Sequence, residues 1–434
     1  MVTNKMSTIR VGIYTRKEIR AVFHGEYKHE EEMISGEKVI REAGWYIPTS
    51  EDCSFSLMDV TIGIDFHWER NETQTFKGSL EVMKTKNGEL TAVNVLDIED
   101  YLQSVISSEM SATSHMELLK AHAVISRSWA LCKIQRSLGG SAFAYHESEG
   151  KRICWHGSEP HEGFDVCADD HCQRYQGLRA KDHKNAIKAV QETKGEVLCQ
   201  LGVRSEELGV KEYEICDARF YKCCGGVTEQ FETCWEDTHF DYLVKVEDFP
   251  KERRDTLDFT TEEGARKWIL SSPEAFCNTN DKQILGQVLN DYDQETIDFY
   301  RWKVVYSQDE LTALVARHAP QLGKIIDLIP LKRGVSGRIY ELKIVGENDS
   351  IIIGKELEIR KWLSNSHLYS SAFVVEKDDD TFTLYGAGWG HGVGLCQIGA
   401  AVMAEKGYTY KEILQHYYPN TEIKLGIFVQ TESK

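Results

Sequence analysis

The chain has 434 residues, with 51 Lys+Arg against 69 Asp+Glu and a formal charge of −18, which excludes nucleic acid as the expected partner. A hydrophobic fraction of 41% with 10% aromatics excludes disorder over most of the length. No apolar run nears the roughly 18 residues that span a bilayer, and the start, MVTNKMSTIRVGIYTRKEIR, has neither the apolar stretch nor the cleavage site of a secretory leader. The compartment stays open on this reading: a cytosolic protein, or one whose leader lies outside this chain.

In chain order, IRVGIY at 9–14 and SLEVMKTKNGELTAVNVL at 79–96 read as strands. The second is a hairpin closed by Lys86-Asn87-Gly88, so 1–95 is expected to be β-rich. Two helices follow. Asp97 caps IEDYLQSVISSEM, and Ser114 with Glu117 forms an S-x-x-E capping box for MELLKAHAVISRSWALCKIQRSL. Leu118, Ile125 and Cys132, seven apart, make a core-facing stripe. Residues 138–177 have no clear period and read as a loop-rich excursion. Strand-like text returns at 213–222, and a charged, mostly helical stretch is expected over 251–335, with a capping box at Ser307 and Glu310. Residues 338–345 and 350–353 read as a hairpin, KELEIRKWL as a helix, and the end as strand, glycine-rich segment, helix, Gly407 stop and helix. Strands and helices come in blocks, which favours α+β. The expected parts are 1–95, 96–250, 251–335 and 336–434, with 96–250 and 336–434 completing one core around a substrate groove.

GAGWGHGVG at 386–394 places glycine at every second position. In an extended strand alternate residues share a face, so one face is bare backbone and the other carries Ala387, Trp389, His391 and Val393. Glycine weakens a strand, and something therefore approaches that backbone closely. It is either a packed strand or helix, or a ligand over a groove floor at which Trp389 or His391 is aimed.

Twelve cysteines spread over this length are not the framework of a small secreted domain; metal binding and buried thiols fit better. HEGFDVCADDHC at 161–172 offers His161, Cys167, His171 and Cys172, sufficient for tetrahedral zinc, with Cys154 and His156 in reserve. Free thiols or a Cys167–Cys172 disulfide are the alternatives. Cys199, Cys216, Cys223, Cys224 and Cys234 read as buried thiols, with a Cys224–His391 nucleophilic pair as the alternative.

Three blocks carry a family resemblance. GWGHGVGLCQIGAAVMAEKGYTYKEILQHYYPNTEI at 388–423 resembles the C-terminal signature of the SpoIID/LytB family, which includes sporulation lytic transglycosylases and amidase enhancers of the bacterial cell wall. LDIEDYLQSVISSEMSATSHMELLKAHAVISRSWAL at 96–131 is similar to the family's L-E-D-Y-L helix, S-E-M turn and L-K-A-Q-A-V-x-A-R run, with His122 in place of Gln. CCGGVTE at 223–229 is similar to S-G-G-x-T-E, with Cys224 where Ser is common.

The resemblance implies cleavage of the MurNAc-GlcNAc bond of peptidoglycan, with Glu109 of the S-E-M block as the single acid/base. The sugar's own 6-hydroxyl attacks to leave 1,6-anhydroMurNAc ends. A helix end and apolar neighbours such as Ile106 and Met110 favour the protonated carboxyl such chemistry needs. The resemblance further implies substrate contacts from the motif positions Gly225, Gly226, Thr228, Trp389, His391 and Gln397. Lys120 and Arg127, seven apart on the second helix, support the Glu109 region or meet stem-peptide carboxylates; a buried, paired Arg127 is the other reading. A similar H-x5-C…H-C cluster in the family implies a structural zinc. The enhancer branch implies a different function, a non-catalytic peptidoglycan-binding module whose partner is a cell-wall amidase. Either role leads to the expectation of a cell-envelope protein, with a cytosolic role on recycled wall fragments as the alternative.

Overall fold

The computed structural model describes residues 8–63, 69–111, 113–137, 145–148, 150–155, 161–169, 172–178, 184–201, 213–249, 257–288 and 298–426. Its N-terminal part is a curled antiparallel sheet built from β1 (Thr8–Arg16), β2 (Ile19–His29), β3 (Glu32–Ile40), β4 (Gly44–Pro48), β5 (Ser54–Ile62), β6 (Arg70–Lys77), β7 (Ser79–Lys84) and β8 (Leu90–Asp97). The spatial order is β1-β8-β7-β4-β2-β5-β6, with β3 on the side of β2. The β7–β8 hairpin turns where the sequence predicts, with Gly88 at φ 83°. Alternating inward residues give the concave face an aromatic core: Phe23, Tyr27, Phe55 and Phe76 are all buried and their rings meet pairwise.

Two helices close this sheet. The side chain of Asp97 accepts from Glu99 N at 2.9 Å to start α1 (Ile98–Glu109). α2 (Met116–Ser137) carries Leu118, Ile125 and Cys132 into the core, as expected, but it is buried nearly all round rather than on one stripe. The Ser114–Glu117 capping box does not form. Ser114 Oγ donates instead to Ser111 O and Gln287 O, and His115 Nδ1 accepts from Glu117 N at 3.2 Å. The tertiary contact to Gln287 outcompetes the local one.

The excursion after α2 is not all loop. β9 (Tyr145–Ser148) and β10 (Lys151–Cys154) form a hairpin, and β11 (Val166–Cys167) adds a parallel edge to β1. Then come α3 (Lys184–Glu192), β12 (Glu196–Leu201), β13 (Tyr213–Ile215), β14 (Phe220–Tyr221) and α4 (Phe231–Cys234).

The stretch over 251–335 holds helices α5 (Glu262–Leu270), α6 (Lys282–Val288) and α7 (Gln308–Ala316). It also holds two full strands, β15 (Arg301–Ser307) and β16 (Ile325–Arg333), so it is mixed rather than mostly helical. The Ser307–Glu310 capping box forms. β17 (Ile339–Gly346), β18 (Ser350–Gly354), α8 (Glu356–Trp362), β19 (Phe373–Asp378), β20 (Thr381–Ala387), β21 (Leu395–Cys396), α9 (Gln397–Glu405), α10 (Tyr410–Tyr417) and β22 (Glu422–Leu425) complete the chain.

Four smaller sheets interleave the two ends of the sequence: β16-β17-β18-β10-β9, β13-β12-β22, β14-β21 and β15-β20-β19. The architecture is α+β. Among the described residues no helix is long and apolar enough to cross a membrane.

Candidate functional site

Glu109 is the last residue of α1, because Met110 turns extended and Ser111 N donates to Gln287 O at 3.0 Å. The half-buried carboxyl is fixed by a strap, residues 172–178, laid along the helix. Arg174 N donates to Glu109 Oε1 at 3.1 Å, and Gln176 N donates to Ser108 Oγ at 3.3 Å. Tyr101 Oη donates to Gln173 Oε1 at 3.1 Å, and Ser104 Oγ donates to Gly177 O at 2.7 Å. Between these contacts Tyr175 stacks its ring on Phe76 and Tyr101 and donates to Asn94 Oδ1 at 2.5 Å. A shallow recess of about 30 Å³ opens beside the strap, lined by Ile13, Val60, Gln74, Asp169 and Arg174 among others.

The predicted zinc ligands converge next to this strap. His161 Nε2, Cys167 Sγ and Cys172 Sγ lie within 4.8 Å of one another, with His161 Nε2 and Cys172 Sγ 3.2 Å apart. Ligands on one tetrahedral zinc stand about 3.5–3.8 Å apart, given Zn–S near 2.3 Å and Zn–N near 2.0 Å, so the set fits the ion. Cys172 is pushed down to about 7: donation from the Cys167 thiol and the nearby Lys133 ammonium outweigh its burial. The cluster and Glu109 share one neighbour, the buried phenol of Tyr101, which Cys172, Cys167 and Glu109 all reach electrostatically. His171 and His156 lie outside the described residues. Cys154 ends β10 in a different sheet and is not one of the three.

The glycine-rich segment departs from the expected strand. β20 ends at Ala387, after which Gly388, Gly390, Gly392 and Gly394 all take φ between 74° and 94°. The backbone therefore curls instead of alternating. A Cβ on Gly392 would strike the Arg338 guanidinium, and one on Gly394 would strike Arg219 O, so the close approach is by packed protein. Trp389 exchanges both backbone hydrogen bonds with Cys223 and sets its ring against Phe299 and Tyr369. His391 Nε2 donates to Phe220 O at 3.1 Å while Nδ1 accepts from Val393 N at 3.1 Å. Both ring nitrogens are thereby committed. Burial and the charges of Arg219, Arg338 and Arg360 hold the ring well below its usual pKa and neutral.

Several expected substrate contacts are interior packing. Arg127 is 1% exposed and grips Glu99 with two hydrogen bonds of 2.9 and 2.6 Å, a buried bidentate pair. Glu99 on α1 is thus the ion-pair partner that ties α1 to α2. Thr228 is fully buried, its Oγ1 donating to Val244 O at 2.8 Å; Gly225 and Gly226 are buried beneath Ala387 and Trp268. Gln397 is buried against His122, 3.1 Å away. Lys120 is partly exposed but held by Glu117 at 3.1 Å and Glu192 at 2.8 Å, away from the strap.

Comparison with known proteins matches residues 86–199 to the family "Stage II sporulation protein" and residues 229–394 to a "Domain of unknown function (DUF8618)". The first of these matches covers the α1–α2 region, α3 and most of β12. An uncharacterized protein of Brachyspira hyodysenteriae is 26% identical over 78% of this chain and 69% of its own length. The stage II sporulation protein D of Bacillus subtilis is 25% identical over 80% of this chain and 78% of its own length. The amidase enhancer of Bacillus subtilis is 24% identical over 74% of this chain, a match that spans only 40% of the enhancer.

Glu109, the strap and the His161–Cys167–Cys172 cluster all fall within the first match, whereas Trp389 and His391 fall within the second. Sequence reading missed the strap. Gln173 and Arg174 act through a side-chain amide and a backbone N–H, which leave no motif; the one available signal was their place directly after Cys172.

Proposed function

We propose that the chain acts on the bacterial cell wall as a peptidoglycan lytic transglycosylase, with Glu109 as its single acid/base. The observation that carries this reading is the fixed, half-buried Glu109 carboxyl at the end of α1, in the block that resembles the lytic transglycosylases. Cleavage needs a proton delivered to the glycosidic oxygen and later withdrawn from the sugar's 6-hydroxyl, and one carboxyl group does both in turn. The Arg174 N–H holds the carboxyl in place through Oε1. His161, Cys167 and Cys172 would hold zinc, which would cross-link the strap to the loop before it. The adjoining recess, of about 30 Å³, opens beside Arg174 and has room for water rather than for a sugar.

The test is digestion of purified glycan strands with mass spectrometry of the products. Wild type should release 1,6-anhydroMurNAc ends, and Glu109→Gln should lose them by at least about a hundredfold with its circular dichroism unchanged. The second reading, a non-catalytic enhancer of an N-acetylmuramoyl-L-alanine amidase, is favoured by the enhancer relative and by the interior packing of Arg127, Thr228 and Gln397. Wild-type protein that binds wall and stimulates an amidase, yet releases no anhydro sugar, would establish it instead.

A further inference from the structure

A second set of metal-ligating side chains lies apart from the strap, beneath the glycine-rich segment. Cys224 follows β14, Asp248 lies in the loop after α4, Cys277 lies between α5 and α6, and Cys396 ends β21. Their three Sγ atoms and a carboxylate oxygen all lie within 4.8 Å of one another, and none of the four residues is more than 3% exposed. Cys224 Sγ and Cys277 Sγ are 3.3 Å apart. Two sulfurs on one tetrahedral zinc stand about 3.8 Å apart, from a Zn–S bond near 2.3 Å, so a shift of a few tenths of an ångström seats one ion.

The surroundings suit anionic ligands. Backbone N–H groups donate to the sulfurs: Cys224 N to Cys396 Sγ at 3.2 Å, Gly226 N to Cys224 Sγ at 3.3 Å, and Gly399 N to Cys396 Sγ at 3.4 Å. Asp248 is oriented as an outer shell orients a metal ligand: Oδ2 accepts from Cys277 N at 2.7 Å and Oδ1 from Tyr417 Oη at 2.6 Å. Gly399 makes this possible, because a Cβ there would collide with Tyr417 Oη and crowd Asp248. Among the described residues no lysine, arginine or histidine pairs with Asp248. A fully buried carboxylate beside three sulfurs and without a cation costs several kcal/mol, and a divalent ion removes that cost.

We propose that Cys224, Cys277, Cys396 and Asp248 hold one zinc ion in a closed, structural tetrahedral site. Borderline-soft zinc matches the three-sulfur, one-oxygen donor set, and with all four positions filled by protein the ion does no chemistry on substrate. Its effect is to clamp the loops carrying Asp248 and Cys277 onto the chain segments carrying Cys224 and Cys396. Cys223, also buried, lies beside Cys277 and Cys396 as a thiol outside the set. This proposal is independent of whether Glu109 is catalytic.

The experiment uses the full chain carrying Cys167→Ser and Cys172→Ser, which disables the cluster at the strap. After dialysis against a chelator, elemental analysis should find about one zinc per chain, released by a thiol-reactive mercurial. Adding Cys277→Ser should remove it, and Cys223→Ser should not. Cobalt in place of zinc should show sulfur-to-metal charge transfer and the visible bands of a tetrahedral site. A folded double variant with no zinc would overturn the proposal, as would iron in its place, or a Cys224–Cys277 disulfide detected as a mass two hydrogens lower. Should the variants fail to fold, wild-type crystals decide. Anomalous scattering at the zinc edge is expected to peak among the four side chains, and no peak there overturns the site.

Discussion

Inside α2 a histidine occupies a position at which only a neutral ring is stable. His122 is fully buried, edge-on to Phe220, with Nε2 3.1 Å from Gln397 Nε2 and Nδ1 3.4 Å from Ser126 Oγ. The Gln397 amide nitrogen can only donate, so His122 Nε2 accepts and the ring proton sits on Nδ1. Burial, assisted by the charge of Lys222, pushes the ring down to about 3. The unfolded chain binds a proton at His122 below its ordinary pKa near 6.5, while the folded chain does not until about 3. Stability is therefore present in full above 6.5 and falls as pH drops toward 3, by about 1.4 kcal/mol per pH unit in that window. Glutamine at this position is similar to the family pattern, can meet Gln397 through its own amide, and does not titrate. His122→Gln should accordingly flatten the loss of stability between pH 6.5 and 4, as read by urea unfolding at several pH values. An unchanged slope would show that the ring is protonated inside the fold. At this scale the sequence drew attention to Glu109 and to His161, Cys167 and Cys172, which the fold gathers near Tyr101, because acid/base chemistry and metal binding demand particular residue types. It could not tell a motif residue that touches substrate from one that packs: Arg127 and Thr228 look alike in either role until their partners Glu99 and Val244 are known.

Among the elements, those read from local chemistry were found where expected, the Ser114–Glu117 box excepted, and those with distant partners were not. The β7–β8 turn, the Asp97 cap and the Ser307–Glu310 box are settled within a few residues. The β9–β10 hairpin instead depends on β18, about 200 residues away, along which β10 lies parallel, and no local period announces it. The glycine-rich segment misled for a different reason. Every second residue being glycine suggests a strand, but the same spacing serves a backbone that needs left-handed φ at alternate positions. Gly394 shows the constraint most sharply, with φ 84° and no room for a Cβ beside Arg219 O, while its neighbour Leu395 pairs with Phe220 and donates to that same carbonyl. Gly394→Ala must both adopt an unfavourable φ and displace β14, so a loss of about 3 kcal/mol or more is expected. Thermal unfolding measures it. A loss below about 1 kcal/mol would mean that this backbone adjusts freely and that the segment is not tightly packed.

The molecule as a whole is closed by its last elements. The two family matches end at residues 199 and 394, yet the helices of the first are sealed by strands and helices C-terminal to both. β22 pairs with β12 from Glu196↔Leu425 to Cys199↔Glu422, and β21 pairs with β14. From α9, Gln397 reaches His122, and at the start of α10 Tyr410 N donates to Glu117 Oε2 at 2.8 Å. Tyr417 and Tyr418, at the end of α10, are buried. Removing residues 395–434 would strip these partners from α2, β12 and β14 and leave Val197, Leu198 and Leu118 facing water. At about 25 cal/mol per Å² of apolar surface, uncovering even a few hundred Å² costs as much as the roughly 5–15 kcal/mol that holds a typical domain together. A chain ending at Gly394 should therefore keep part of its far-ultraviolet dichroism, lose its near-ultraviolet signal, bind a hydrophobic dye and unfold without a cooperative transition. Cooperative unfolding with native near-ultraviolet dichroism would instead mean that the sheets of residues 8–394 form a self-sufficient core and that the C-terminal helices merely dock on it.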